Sequence, residues 1–198
     1  MKKIAYVCIF HILLALALTG CSGLPSAPDE DTDTAAAPDY ISVGSHLTVH
    51  STDDRLTLLN NMDTLSADGL YYASWTAGSA KPYENADGDT IDLYDAQLYL
   101  LSGEFQNAQT AEEYMNDWMN AGYANYHVNA GETVTCNGQT YTLITYSFTN
   151  PENPYDRGVS AFGVYGNCAV CIELTCQEEY REDLHEMLTE FLNGCSYH

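Results

Sequence analysis

Glu132-Thr-Val-Thr-Cys136, Asn137-Gly138 and Gln139-Thr-Tyr-Thr-Leu-Ile-Thr-Tyr-Ser-Phe-Thr149 form the pattern of a strand, a two-residue turn and a second strand. Asn-Gly suits that turn because both central residues of a type I′ turn need positive φ. The stretch from Val159 through Gly166-Asn167 to Thr175 repeats the plan. Apolar residues then recur at helical spacing up to Gly194, a stop signal; they are Tyr180, Leu184, Met187, Leu188, Phe191 and Leu192. The segment 131–194 therefore predicts an antiparallel sheet closed by a C-terminal helix.

The preceding segments add strands and one more helix. A capping box at Thr110–Glu113 opens a helix that Gly122 ends, because the Thr hydroxyl and the Glu carboxylate can each satisfy a free backbone N–H. The predicted strands are Tyr40–His50, Arg55–Leu59, Leu70–Trp75 and Asp95–Leu101, with a loop over Gly78–Thr90. This order predicts the α+β class, a largely antiparallel sheet packed by at least two helices.

The N-terminus has the pattern of a secretion signal rather than of a fold. Met1-Lys-Lys is a basic start, Ile4–Leu18 is an apolar run, and Leu18-Thr19-Gly20-Cys21 follows it. This ending resembles the lipobox of bacterial lipoproteins, which implies cleavage before Cys21 and a covalent lipid on that cysteine. An uncleaved transmembrane anchor is the alternative, but this run is only fifteen residues long and includes His11, which falls short of the roughly 20 apolar residues that a span needs.

The predicted organisation is thus a signal peptide at 1–20, a disordered tether at 21–39 and a single α+β domain at 40–198. The tether is rich in Ser, Pro, Ala, Asp and Thr, and such a stretch buries too little apolar surface to order itself. Loss of Lys2 and Lys3 with the signal leaves Arg55, Lys81, Arg157 and Arg181 against 28 acidic residues. A domain this acidic repels phosphate backbones, so nucleic acid is excluded as a partner, and membrane contact comes from the lipid.

The order of elements over residues 40–198 resembles the PsbP-like α/β/α sandwich superfamily. The resemblance rests on a helix followed by paired hairpins with a Tyr-rich strand (Tyr141, Tyr146, Phe148), a Cys-bearing last strand and a terminal helix ending at Phe191–Asn193. That superfamily includes extrinsic photosystem II proteins and small bacterial lipoproteins. It has no shared catalytic residues, so the resemblance implies a binding or accessory role outside the cytoplasm.

Five cysteines belong to the predicted domain: Cys136, Cys168, Cys171, Cys176 and Cys195. Cys168-Ala-Val-Cys171 invites a thiol–disulfide oxidoreductase interpretation, yet that chemistry needs a thiolate at a helix N-terminus, and here the motif enters a strand. Zinc bound by Cys168, Cys171 and Cys176 is disfavoured because Cys168 and Cys171 point to opposite faces of a strand. We expect a Cys168–Cys195 disulfide instead, since an antiparallel terminal helix returns to the start of the last strand.

Other chemistry is weakly indicated. Asp87 and Asp89 lie in an acidic turn that could hold calcium, although the spacing lacks the Gly and Glu of an EF-hand. The sixteen tyrosines suit either half-buried strand positions or a binding surface. No catalytic residue, metal site or cofactor is predicted apart from the lipid on Cys21.

The expected function is therefore a lipid-anchored, extracytoplasmic, non-catalytic domain that binds a protein or cell-envelope partner. A surface receptor for a sugar or a cation and a redox enzyme using Cys168 and Cys171 are the alternatives. A receptor predicts a concave site with convergent polar groups, and a redox enzyme predicts an accessible Cys168 with a lowered pKa.

Overall fold

The computed structural model describes residues 40–50, 53–62, 70–85, 88–150 and 153–198. The predicted signal peptide, Cys21 and the tether lie outside these residues. In chain order the described elements are β1 (Ile41–Val43), β2 (Leu47–Val49), β3 (Thr57–Met62), β4 (Leu70–Glu84), β5 (Thr90–Glu104), α1 (Ala108–Asn125), β6 (Tyr126–Cys136), β7 (Gln139–Phe148), β8 (Arg157–Tyr165), β9 (Cys168–Cys176), α2 (Leu184–Asn193) and β10 (Cys195–Tyr197).

Seven of these strands form one antiparallel sheet in the order β3-β4-β5-β9-β8-β7-β6. The three short strands form a second antiparallel sheet in the order β1-β2-β10. Strand β10 follows the terminal helix directly, so the last strand of the chain pairs with one of the first. The small sheet therefore joins the two ends of the described chain.

The four-strand meander predicted from the sequence is confirmed. Asn137 and Gly138 both have positive φ, 46° and 77°, as the type I′ turn between β6 and β7 requires. Gly166 has φ 56° in the turn between β8 and β9. In this segment the strands therefore end and begin at the turn residues that the sequence predicts.

The predicted fold class, α+β, is wrong, because the chain is mainly β with few helices. More than half of the described residues lie in strands and fewer than a fifth in helices. The main error is the segment 78–90, which was predicted as a loop. It forms the outer half of a long hairpin between β4 and β5, in which Ala80 pairs with Tyr94 and Glu84 with Thr90.

A β-bulge between Ala77 and Ala80 explains why this hairpin looked like a loop. Asp95 holds the bulge: its Oδ2 accepts hydrogen bonds from the Ser79 N–H at 2.8 Å and from the Ser79 hydroxyl at 3.0 Å. Gly78 has φ 77°, a conformation open to glycine. The Gly and Pro residues of the segment thus mark a bulge and an exposed hairpin rather than a break in pairing.

The other boundaries also shift. The predicted strand Tyr40–His50 is two short strands separated by a turn at Gly44, whose φ is 64°. The predicted strand Arg55–Leu59 is observed as β3, which begins at Thr57 and pairs with β4. Helix α1 begins before the predicted capping box, because Asn107 Oδ1 accepts from the Thr110 N–H at 3.0 Å and so caps it. Asp183 caps α2, so Tyr180 precedes that helix.

The two faces of the seven-stranded sheet carry different side chains. One face packs with α2 in a large apolar cluster that includes Val170, Ile172 and Leu174 of β9, as the alternation in that strand predicts. The other face packs with α1, which contacts β9, β8 and β6. Within the described part of the chain, no helix has the length and apolarity needed to cross a membrane.

Candidate functional site

A row of polar side chains crosses the α1 face of the seven-stranded sheet. Ser74 of β4, Tyr99 of β5, Glu173 of β9 and Ser160 of β8 are direct neighbours from strand to strand. All four are buried, with exposed fractions of 7% or less. Buried polar groups are usually retained only where they are hydrogen-bonded or functional. This polar row is therefore the first candidate for a site in the described residues.

Glu173 is the central residue of the polar row. Its Oε1 accepts a hydrogen bond from the Tyr126 hydroxyl at 2.6 Å and another from the Tyr146 hydroxyl. The rings of Tyr126 and Tyr146 stack with centroids 3.8 Å apart and planes 7° apart. Two strands that are distant in sequence from β9 thus supply both donors.

Burial and hydrogen bonding shift the pKa of Glu173 in opposite directions. Burial raises the pKa of Glu173 above its usual range, while hydrogen bonds from Tyr126, Tyr146 and Ser160 act to lower it. Burial likewise raises the pKa values of Tyr126 and Tyr146, and the nearby Glu173 raises both further. Both phenols are therefore neutral donors at physiological pH, and neither is prepared to act as a base.

A second polar row lies beside the first. Thr76, Gln97 and Thr175 pair across β4, β5 and β9 and are buried. The Tyr155 hydroxyl donates to Gln97 Oε1 at 2.9 Å. Tyr155 lies in the segment between β7 and β8, so this hydrogen bond also connects that segment to the α1 face of the sheet.

Several buried hydroxyls on this face have no partner in the described structure. They belong to Tyr72, Ser74 and Tyr99, although Ser74 lies close enough to Tyr72 to lower the pKa of its phenol by hydrogen bonding. The indole N–H of Trp118, on α1, is also unpartnered. Burial raises the pKa of Tyr72 to about 12 and that of Tyr99 well above its usual range, so both keep their protons. These groups can hydrogen-bond a small polar molecule or water, but none is an activated nucleophile.

A shallow groove lies between α1 and the strands β7 and β8. It has a volume of about 260 Å³ and is lined by Glu112, Met115, Asn116, Thr140–Thr142 and Phe162–Val164. Ligand pockets usually enclose roughly 300–1,000 Å³. The groove is thus at or below the lower limit for a small-molecule site.

The cysteines predicted as a disulfide pair are both buried. Cys168 begins β9 and Cys195 begins β10, and both are free thiols in this structure. Burial raises the pKa of Cys168 to about 11 and that of Cys195 to about 12. The Cys168–Cys195 bridge stays a prediction. After burial, the cause that raises the pKa of Cys195 is the charge of the Cys136 thiol.

The other sequence candidates are separated by the fold. Cys171 lies in the apolar cluster on the α1 face, and Cys176 in the cluster on the α2 face. Asp87 lies outside the described residues, and the turn beside Asp89 is closed by hydrogen bonds between Asn85 and Asp89. Among the described residues, no three His, Cys, Asp or Glu side chains lie close enough to share a metal ion.

Most of the described tyrosines are buried or half-buried. Six described tyrosines are buried, namely Tyr72, Tyr99, Tyr126, Tyr141, Tyr146 and Tyr155. Among the described tyrosines, Tyr40 is exposed. The half-buried strand positions considered for tyrosine therefore describe this chain better than a continuous tyrosine surface.

Sequence reasoning missed the polar row. A single acidic residue within the otherwise apolar strand Cys168–Cys176 was the available signal. Alternation along the strand places Glu173 on the same face as Cys171, opposite the face that meets α2. Its partners Tyr126 and Tyr146 could not be assigned, because register across four strands is a tertiary property.

Comparisons with known proteins show only a loose similarity. No family model and no curated protein matches the chain. Among solved structures, it is similar to the solution structure of cyanobacterial PsbP from a Synechocystis species, with a TM-score of 0.38, 10% identity, and coverage of 71% of this chain and 99% of that one. It is also similar to the extracellular domain of PknH from Mycobacterium tuberculosis, with a TM-score of 0.34, 12% identity, and coverage of 65% and 66%. TM-scores this low carry no argument about function.

Proposed function

We propose that the protein is a lipid-anchored, extracytoplasmic binding domain without catalytic activity, and that it binds a partner protein. The Leu18–Cys21 motif supports the anchor, because it has the sequence of a lipobox. The observation that carries the binding role is the exposed edge of the seven-stranded sheet at β3.

Strand β3 ends the sheet, and no described strand pairs with its outer side. The register shifts between Leu58 and Asn60, so Leu59 is the extra residue of a bulge. Leu58 is 42% exposed and Leu59 38% exposed, which leaves two adjacent leucines in solvent at an open edge. Natural proteins usually protect such an edge with charged residues or a covering element.

An open, apolar edge favours a partner that adds an extended segment to the sheet. Backbone N–H and C=O groups then pair as in an ordinary ladder, and the leucines supply apolar contact. The charge of the chain, −22, favours a segment that carries Lys or Arg. The proposed partner is therefore a protein with an extended, basic segment.

The redox alternative has less support. Burial is the main cause that raises the pKa of Cys171 far above its usual range, and Cys171 is 4% exposed. A redox-active CxxC motif needs the opposite, an accessible thiol with a lowered pKa. The motif lies inside the central strand β9, paired on both sides by β5 and β8.

The anchor is tested by metabolic labelling with a palmitate analogue in bacteria that express the full chain. We expect label and membrane association in the wild type, loss of both in Cys21→Ser, and retention of both in the matched control Cys8→Ser. Added protease should degrade the wild-type domain on intact cells, or on spheroplasts of a Gram-negative host. Unlabelled wild-type protein, or a domain that protease cannot reach, would contradict the proposal.

The binding edge is tested by in-cell photo-cross-linking. A photoreactive amino acid is placed at Leu58 or Leu59, and at Thr133 as the control, since Thr133 is exposed on β6 at the opposite edge. We expect a discrete adduct from the β3 positions that is absent from Thr133 and is competed by an added basic peptide. Equal adducts at both edges, or none at β3, would contradict the proposal.

A solute receptor is the second candidate, and the polar row favours it. The unpartnered hydroxyl of Tyr99 lies between Ser74 and Glu173 in the polar row, a mixture of donors and acceptors that suits an uncharged polyhydroxylated molecule such as a sugar. Titration calorimetry with a panel of monosaccharides tests it, with Tyr99→Phe as the matched variant. Heat that persists in Tyr99→Phe, or no heat in the wild type, would remove the receptor hypothesis.

A further inference from the structure

The turn between β6 and β7 contacts the last strand of the chain. The Asn137 side-chain N–H₂ donates to the Cys195 carbonyl at 2.7 Å. The Asn137 backbone N–H donates to Asn193 Oδ1 at 3.3 Å. Asn137 directly follows Cys136, the last residue of β6, so these bonds bring the end of β6 to the start of β10.

Cys136 and Cys195 lie in one apolar cluster, where the Cys195 thiol donates a hydrogen bond to the Phe191 carbonyl at 3.5 Å. Both are buried, with exposed fractions of 2% and 1%, and both belong to the cluster that packs with α2. Tyr141 lies beside them: burial raises the pKa of its phenol well above its usual range, and the charges of both thiols contribute.

Cys168 has different neighbours. It pairs with Glu104 of β5 and with Tyr165 of β8. Tyr165 in turn packs against Tyr197, two residues beyond Cys195, with ring centroids 5.2 Å apart. Of the three cysteines at this end of the molecule, Cys136 is therefore the better placed to meet Cys195.

We propose that Cys136 and Cys195 form a disulfide in the oxidised protein, joining strand β6 of the seven-stranded sheet to strand β10 of the three-stranded sheet. The pair differs from Cys168–Cys195, which was expected from helix direction alone. Formation in the cell depends on the extracytoplasmic location proposed above, because oxidising compartments preserve disulfides. The pairing itself depends only on the fold and can be tested on purified protein.

The oxidant is a small disulfide such as oxidised glutathione. One cysteine thiolate attacks the glutathione disulfide and releases one molecule of reduced glutathione, leaving a mixed disulfide on the protein. The second cysteine attacks that mixed disulfide and releases the second glutathione. Two protein thiols thus lose two electrons and two protons, and glutathione disulfide gains both.

Peptide mapping distinguishes the possible pairs because Glu residues separate most of the cysteines. Cleavage after Glu puts Cys136 in the peptide 133–152, Cys168 and Cys171 together in 153–173, Cys176 in 174–178 and Cys195 in 191–198. Cys8 and Cys21 fall in the N-terminal peptide 1–30. The purified full chain is reduced, reoxidised with glutathione disulfide, alkylated in denaturant and digested.

We expect the peptides 133–152 and 191–198 to be joined after oxidation and separate after reduction. The midpoint of urea unfolding should rise on oxidation by roughly 2 M. The matched variants are Cys136→Ser, which should lose both effects, and Cys176→Ser, which should keep both. A link between 191–198 and 153–173, or a Cys195 that remains fully alkylated, would overturn the proposal. Because the mapping uses wild-type protein, it holds even if a variant does not fold.

Discussion

Replacing Glu173 by alanine should destabilise the protein strongly, whereas replacing it by glutamine should not. In the alanine variant the buried hydroxyls of Tyr126 and Tyr146 lose the oxygen that accepts both of their hydrogen bonds. Removing the acceptor of a buried hydrogen bond costs about 1–3 kcal/mol, so loss of both bonds should cost about 2–6 kcal/mol. Glutamine keeps a carbonyl oxygen at the same place and cannot ionise, so its stability should stay within about 1 kcal/mol of wild type.

The measurement is urea unfolding at pH 7, followed by tryptophan fluorescence, since Trp75 and Trp118 are both buried. The double variant Tyr126→Phe/Tyr146→Phe is the matched background, because it lacks the hydroxyls. In that background Glu173→Ala should cost much less than in the wild type. Equal stability of the alanine and glutamine variants would refute the hydrogen-bond arrangement described for the polar row.

The pH dependence of the same residue gives a second readout. Burial raises the pKa of Glu173 in the folded state, so its contribution to stability is full below the unfolded pKa of about 4.3 and is lost as pH rises through the folded value. Glutamine does not titrate. The difference in stability between wild type and Glu173→Gln should therefore move in favour of glutamine as pH rises.

Three further predictions concern other parts of the fold. Burial lowers the pKa of His46 in the folded state, so its contribution to stability is present above the unfolded pKa of about 6.5 and is lost as pH falls. The urea midpoints measured at pH 7.5 and at pH 5.5 should therefore differ less in His46→Gln than in wild type. Gly194→Ala should cost more than Gly138→Ala in the same assay, because its Cβ would collide with the backbone carbonyl oxygen of His50. A Cβ at Gly138 faces open space and costs only the strain of a φ of 77°, so equal losses would contradict this. Arg55→Ala should cost about 1–3 kcal/mol, since it removes the hydrogen-bonding partner at 2.8 Å from buried Asp53, and pairing with Asp53→Asn should recover part of that loss.

The parts of the fold that the sequence predicted are those with local causes. Asn137 and Gly138 determine their own turn, and the alternation in β9 determines which residues meet α2. Both signals act over a few residues, so they could be recognised without knowledge of the partners.

The outer half of the β4–β5 hairpin could not be predicted in the same way. Its bulge is closed by Asp95, sixteen residues from Ser79, and Lys81 adds an ion pair with Asp95 at 3.2 Å. The glycine and proline in this segment indicate a loop when they are considered alone. Only the contact across the hairpin shows that the strands continue.

The candidate site was harder still to predict. Glu173 is separated from Tyr126 by 47 residues and from Tyr146 by 27. Its neighbour Tyr99 belongs to a strand on the other side of α1 in the chain. A row of this kind can be recognised only when the order of strands in the sheet is known.

The small sheet also determines how the domain would respond to mechanical load. A chain held by a lipid at Cys21 would transmit tension into β1, the first strand, which pairs with β2 beside β10. Strands pulled along their length share the load among several hydrogen bonds at once, so β2 would pass the force to β10 and then to α2. A covalent link from β10 to β6 would carry that force directly into the large sheet, and reduction of the link would leave the load on the hydrogen bonds of the three short strands.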